Sequence, residues 1–313
     1  MALYNVLHFK SPPVMFAAWP GMGNVGVLTV DYLRRKSNSK LFAEVDMNPY
    51  SVPEAITVEN GVARLPELPK SNFYQHHNPD MVIFESNGTV GGRDGLSIIK
   101  GVLDVAKELN VKKIYTAAGY TQPISHANPS RVLSASSNPA VLRFLQEQGV
   151  EPVPDCLIGG LNGLLLGFAP TEGIEAVCFL GTIPAYASSI TYPKASLAIL
   201  DTIKSVLGFD IDLAELEQEV GTVDALFGDI EERMKDLFAA TGQSPPEQEP
   251  EMQQEHVPQY VMQRIENLFE QVQKDRQKAP ELKDELQRWG LFELYEDRFL
   301  DLFRDNPDDF SSE

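Results

Sequence analysis

Short apolar runs alternate with amphipathic stretches up to residue 240, and this alternation limits the fold more than any single motif does. Val14–Trp19, Leu41–Val45, Met81–Phe84, Lys113–Thr116, Val132–Ser136 and Glu175–Leu180 read as strands, most of them buried on both faces. Val27–Lys36, Gly95–Leu109, Asn138–Gln148, Leu161–Phe168 and Pro193–Leu207 read as helices, and Asp212–Ala240 continues in helices. Asn138 is the expected N-cap of its helix with Pro139 in the first position, and Gly208 is an expected stop. Leu161–Phe168 is apolar all round and is expected to be buried. Between Asn48 and His77 the pattern changes. Four prolines (Pro49, Pro53, Pro66, Pro69) and alternating pieces such as Ile56-Thr57-Val58 predict antiparallel strands and turns. The whole predicts an α/β fold, a three-layer sandwich around a mostly parallel mixed sheet, with sites at the carboxyl ends of the strands.

The composition breaks near Ala240. Residues 1–240 read as the α/β domain, 241–257 as a Pro/Glu/Gln-rich linker and 258–313 as a helical C-terminal extension. The extension reads as two helices, Gln259–Gln277 and Pro280–Phe303. Two helices of that length do not bury so many aromatic side chains alone, so they are expected to pack on the main domain or on a neighbouring subunit.

The net charge of −19 repels a phosphate backbone, which argues against nucleic-acid binding. No apolar run approaches the roughly 18–20 residues of a membrane span, and Met1–Lys10 lacks the pattern of a secretory signal. The cytoplasm is the expected location. Cys156 and Cys178 both stand in apolar sequence and read as buried free thiols.

Gly21-Met22-Gly23-Asn24-Val25-Gly26 matches G-x-G-x-x-G, follows a strand and opens a helix. An acid, Glu44 or Asp46, stands about 20 residues on, as in dinucleotide sites. The surroundings argue otherwise. A dinucleotide-binding half needs a helix and a third parallel strand after strand two, whereas this chain enters the Pro-rich excursion. The turn then serves tight strand-to-helix packing through its glycines, and an anion or small-ligand pocket at the turn stays open.

Trp19-Pro20-Gly21-Met22-Gly23-Asn24-Val25-Gly26 resembles the signature of the proteasome assembly chaperone 2 family. Asp80–Glu85, Val111–Tyr120, Ile158–Leu166, Gly181 and Pro184-Ala185-Tyr186 resemble it in the same order, over roughly residues 10–225. The resemblance implies a fold related to purine nucleoside phosphorylases and a role in protein association. It also implies homo-oligomers, a trimer among them, and an unidentified protein partner. Archaeal members dock through a C-terminal hydrophobic–Tyr–any-residue tripeptide. This chain ends Ser311-Ser312-Glu313, so the resemblance carries no expectation of that route.

The leading expectation is a non-enzymatic, oligomeric assembly-chaperone-like protein without cofactor or metal. The alternative is an enzyme or sensor for a nucleoside-like or phosphate ligand. It would use the Gly21, Met22, Gly23, Asn24 and Val25 turn with Glu85, Gly88 and Arg93. A strand-end acid beside a Gly-rich loop suits a base or a ribose ligand, and Arg93 or Arg131 suits a phosphate. His76 and His77 are adjacent and point to opposite faces of a strand, which does not suit one metal. His126 stands alone in a Pro/Ser loop.

Overall fold

Val14–Ala18 is apolar without a break, and a strand of that kind is stable only at the centre of a sheet covered on both sides. In the computed structural model it is the middle of a nine-stranded mixed sheet. The structure describes residues 2–3, 9–50, 56–65, 67–241, 265–269, 271–272, 275–288 and 291–302. The chain divides into two compact units, Met1–Pro250 and Glu251–Glu313.

In the first unit, β1 (Ala2–Leu3) precedes β2 (Val14–Ala18), and a 3-10 turn (Met22–Asn24) leads into α1 (Val25–Lys36). β3 (Lys40–Val45), β4 (Thr57–Glu59), β5 (Val62–Arg64), β6 (Ser71–His76) and β7 (Met81–Ser86) follow. Then come α2 (Gly92–Glu108), β8 (Lys113–Gln122), β9 (Val132–Ser136), α3 (Pro139–Glu147) and β10 (Glu151–Pro152). α4 (Gly160–Phe168), β11 (Glu175–Pro184), α5 (Pro193–Leu207) and α6 (Ala214–Thr241) complete it.

The strand order is β1-β3-β6-β7-β2-β8-β11-β9-β10. The four central strands, β7, β2, β8 and β11, are parallel. β6 is antiparallel to both β3 and β7, and β9 is antiparallel to β11. β4 and β5 form a separate two-stranded hairpin. β3 therefore has no place beside β2, and the Rossmann order is excluded. Asn138 caps α3, its Oδ1 accepting from the Ala140 N–H at 2.9 Å, and Gly208 ends α5 at φ 71°.

The two-residue period of the strands sorts the core into layers. Phe16 and Ala18 of β2 and Met81 and Ile83 of β7 join residues of α1, α5 and α6 on one face. Met15, Ala17 and Trp19, with Val82 and Phe84, join residues of α2 and α4 on the other.

Three expectations need correction. α4 is not buried all round: Leu161, Asn162 and Leu165 face inward, while Leu164 is 45% exposed. Gly160 and Gly167 lie on the exposed side with Leu164, and a Cβ at Gly163 would come within 1.9 Å of Ile158 O, so only one side of the helix meets the sheet. Cys178 is buried but Cys156 is exposed, because it stands in a surface loop beyond β10. The predicted second tail helix is two helices, Ala279–Arg288 and Phe292–Asp301, and the tail has a core of its own. Ile265, Phe269, Leu282, Leu286 and Phe299 bury one another there. Most of the expected linker, and the start of the expected first tail helix, lie outside the described residues.

Candidate functional site

The carboxyl ends of β2, β7, β8 and β11 are where a parallel sheet presents ligands, and the glycine turn lies there. Gly23 takes φ 61° and Asn24 φ 51°, a left-handed pair that bends the chain from β2 into α1. The backbone amides of this turn are spent inside the chain. Gly23 N–H donates to Ser188 O at 2.8 Å, Asn24 N–H to Gly21 O at 2.9 Å, and Val25 N–H to Met22 O. Gly23 O in turn accepts from Tyr192 N–H at 2.9 Å, which ties the turn to the segment before α5. The Asn24 side chain donates to Thr191 Oγ1 at 3.0 Å. A Cβ on Gly26 would come within 2.2 Å of Ala117 O, so α1 starts hard against β8. A phosphate cradle needs such amides free and converging on an anion. Here they close a turn.

Beside the turn, β2 and β8 separate after Phe16 pairs with Tyr115, which would leave the backbone of Trp19 without a strand partner. Asn162, reaching from α4, replaces it. Its Oδ1 accepts from Trp19 N–H at 3.0 Å and its Nδ2 donates to Trp19 O at 3.1 Å, in the manner of a neighbouring strand. Thr116 Oγ1 adds a third bond to Oδ1 at 3.2 Å. Asn162 and Trp19 are both buried. The amide fills the gap at the sheet's switch point with the chain's own polar group.

Glu85, Gly88 and Arg93 do not assemble around the turn. Glu85 has the parity of Ile83 and points to the α1 side, where Arg34 Nε donates to Glu85 Oε2 at 2.6 Å. Arg34 also pairs with Asp31, and its guanidinium stacks on Tyr74 4.8 Å from the ring centroid. Burial raises the Glu85 carboxyl above the usual range, and Arg34 pulls against it. Gly88 is pressed against Pro69, which a Cβ would approach to 2.5 Å. Arg93 is exposed in the first turn of α2, which belongs to the opposite layer. Arg131 pairs with Glu151 at 2.5 Å.

One polar cluster was not legible in the sequence. Glu231 of α6 reaches the loop after β8 and the end of β11. Its Oε1 accepts from the His126 N–H at 2.7 Å and the Tyr186 hydroxyl at 2.5 Å, and its Oε2 accepts from Ser125 Oγ at 2.8 Å. His126 Nδ1 stands 3.0 Å from Oε1. Lys194 Nζ donates to His126 O at 2.5 Å and pairs with Asp224 at 2.7 Å. Burial works to raise the Glu231 carboxyl, but these donors hold it down at about 2. Tyr186 moves the other way, raised by burial and by the carboxylate it bonds. A carboxylate with so low a pKa is a weak base, and Lys194 is held between the His126 carbonyl and Asp224. The cluster clamps α6 onto the domain. Tyr186 lies in a stretch that carried the family resemblance and His126 stood out as a loop histidine, but nothing in the sequence joins them to Glu231.

Among the described residues, no three His, Cys, Asp or Glu side chains gather as metal ligands, and no helix is long and apolar enough to cross a membrane.

Comparison with known proteins agrees with this architecture. An uncharacterised protein of Methanocaldococcus jannaschii is 23% identical over 237 residues, which cover 74% of this chain and 87% of the relative. The crystal structure of Pyrococcus furiosus PbaB, an archaeal proteasome activator, superposes with a TM-score of 0.63 at 24% identity. It covers 74% of this chain and 97% of that one. A PAC2 family protein from Streptomyces avermitilis gives 0.58 at 22% identity, covering 69% and 95%. P. furiosus PbaA, an archaeal homolog of proteasome-assembly chaperone, gives 0.58 at 20%, covering 74% and 97%. At these identities the structures speak for the fold: a mixed α/β sheet, parallel at its centre and flanked by helices. The family model described as PAC2 family matches residues 15–228, from β2 into α6, and this chain belongs to that family.

Proposed function

We propose that this protein is a non-enzymatic, homo-oligomeric factor of the cytoplasm that acts by binding other proteins, in the manner of an assembly chaperone. The observation that carries this reading is the closure of the switch-point cleft by the chain itself. The amides of Gly23, Asn24 and Val25 bond to backbone carbonyls, and the Asn162 amide occupies the edge of Trp19. A ligand at this turn would have to break those bonds first, with a cost of order 1–3 kcal/mol for each buried group left unpaired. The likeness to PbaA, an archaeal homolog of proteasome-assembly chaperone, and to PbaB, an archaeal proteasome activator, supports the same reading. So does kinship with purine nucleoside phosphorylase-like folds, to which we assign the mixed sheet with helices on both faces. On this view the fold has kept the architecture of a ligand-binding enzyme and filled its site.

Thermal shift with nucleosides, nucleotides, NAD and inorganic phosphate tests the reading. A ligand present at a hundred times its Kd stabilises by about 2.7 kcal/mol, roughly 5–10 °C for a unit of this size. No shift is expected. A saturable shift abolished by Glu85→Gln or Arg93→Ala would establish the ligand-binding alternative instead. Mass photometry of the full chain is expected to show an oligomer, and a monomer at micromolar concentration would refute that part.

A further inference from the structure

An asparagine followed by glycine loses its side-chain amide more readily than any other asparagine, because no Cβ shields the backbone nitrogen that attacks it. The chain holds three such pairs, Asn60-Gly61, Asn87-Gly88 and Asn162-Gly163. Two of them are locked. Asn162 is buried in α4 with its amide bonded to Trp19, and a Cβ at Gly163 would come within 1.9 Å of Ile158 O. Asn87 Oδ1 accepts from Lys70 N–H at 2.7 Å, and Asn87 N–H donates to Lys70 O at 3.1 Å. The attacking group there, Gly88 N–H, donates to Ser86 Oγ at 3.3 Å.

The third pair stands in the open. Asn60 and Gly61 form the two-residue turn of the β4–β5 hairpin at φ 50° and 80°, the left-handed pair that matches the twist of a tight hairpin. The hairpin is a sheet of its own, and every residue from Ile56 to Leu65 is exposed. Nothing lies within 4 Å of where a Cβ on Gly61 would stand. The ring that an asparagine closes with the next nitrogen needs a backbone angle outside the left-handed region, so reaction waits on opening of the turn. A lone two-stranded hairpin is marginal in water and opens readily, whereas the groups that hold Asn87 and Asn162 are joined to the packed domain.

We infer that Asn60 is a site of spontaneous covalent modification to isoaspartate and aspartate, and that the isoaspartate form no longer closes the β4–β5 hairpin. The Gly61 nitrogen attacks Asn60 Cγ. The N–Cγ bond forms, the Cγ–Nδ2 bond breaks, and the side-chain nitrogen leaves as ammonia with the proton from Gly61. Water then opens the ring. Attack at Cγ gives aspartate. Attack at the main-chain carbonyl gives isoaspartate, whose backbone runs through the side chain and is one methylene longer. Nothing is oxidised or reduced. The longer link does not fit a two-residue turn, so the pairing of Glu59 with Val62 is lost. Either product adds a carboxylate beside Glu59, in a segment whose one Glu and one Arg had balanced.

The test uses the full chain. It is incubated at neutral pH in heavy-oxygen water and digested in ordinary water. Mass spectrometry with electron-transfer fragmentation then locates the label and separates isoaspartate from aspartate. In the folded chain Asn60 is expected to convert at least about tenfold faster than Asn87 or Asn162, the gap between a locally opening element and a packed domain. In urea all three should convert at similar rates. Equal rates in the folded chain, or an Asn60 that stays intact when folded and reacts when unfolded, would overturn the site. Trypsin reads the hairpin, since cleavage after Arg64 should quicken as the isoaspartate fraction grows. Asn60→Gly keeps the turn, because glycine takes the same positive φ, and should show no such rise on incubation. Cleavage indifferent to the isoaspartate fraction, or rising equally in Asn60→Gly, would refute the opened hairpin.

Discussion

Asn162→Leu removes the side chain that stands in for a missing strand. The replacement is close in volume, and the site is buried, so no water enters to take over the bonds. Trp19 N–H and O lose partners at 3.0 and 3.1 Å, and Thr116 Oγ1 loses one at 3.2 Å. Two buried backbone groups left unpaired cost about 1–3 kcal/mol each. Leucine returns about 1–2 kcal/mol by burying more apolar area. With both ranges taken at their middle, the net loss is about 2–3 kcal/mol. Thr116→Val is the control, because it deletes only the third and longest bond and costs about 1 kcal/mol or less. Urea unfolding followed by Trp19 fluorescence measures both. The chain has two tryptophans, so Trp289→Phe isolates the signal. The variants should differ in midpoint with the same m-value. A loss below 1 kcal/mol for Asn162→Leu would show that Trp19 is satisfied without the amide, and would remove the basis for calling the cleft closed.

Other expectations follow from the same contacts. Gly26→Ala places a Cβ about where Ala117 O already stands, at 2.2 Å. It should cost about 2–3 kcal/mol as overpacking, despite alanine's better helix propensity, and lower the Tm by about 5–10 °C in a thermal scan. The Glu231 carboxyl is held at about 2 against an ordinary 4.5. Its contribution is therefore complete above pH 4.5 and fades as the pH falls towards 2. Glu231→Gln should flatten the acid limb of the stability profile in that window and leave Glu85 to act with the opposite sign, since burial raises its carboxyl. A maleimide should label one thiol of the native chain, the exposed Cys156. Cys178, whose thiol burial pushes up to about 12, should react only after unfolding, as intact-mass spectrometry would read.

The sequence carries the fold wherever one element's pattern is enough, and loses it where two distant elements must meet. β2 and β7 were legible because an unbroken apolar run has no stable place except a sheet centre. α3 and α5 were legible because Asn138, Pro139 and Gly208 mark helix ends locally. β8 and β11 were read short. Ala117, Ala118, Gly119 and Gly181 favour no strand alone, and those stretches extend only by pairing with each other from Lys113↔Glu175 to Gln122↔Pro184. The candidate site follows the same rule. The glycine turn matches a nucleotide motif in sequence because both uses need a sharp strand-to-helix bend. Whether its amides face an anion or a carbonyl depends on Ser188, well over a hundred positions away. Asn162 stands in a helix that reads as apolar all round, yet it is the residue that makes closure of the sheet possible. Such a residue is readable only once the strand it completes is known, so a motif at a switch point should be judged by which distant groups fill it.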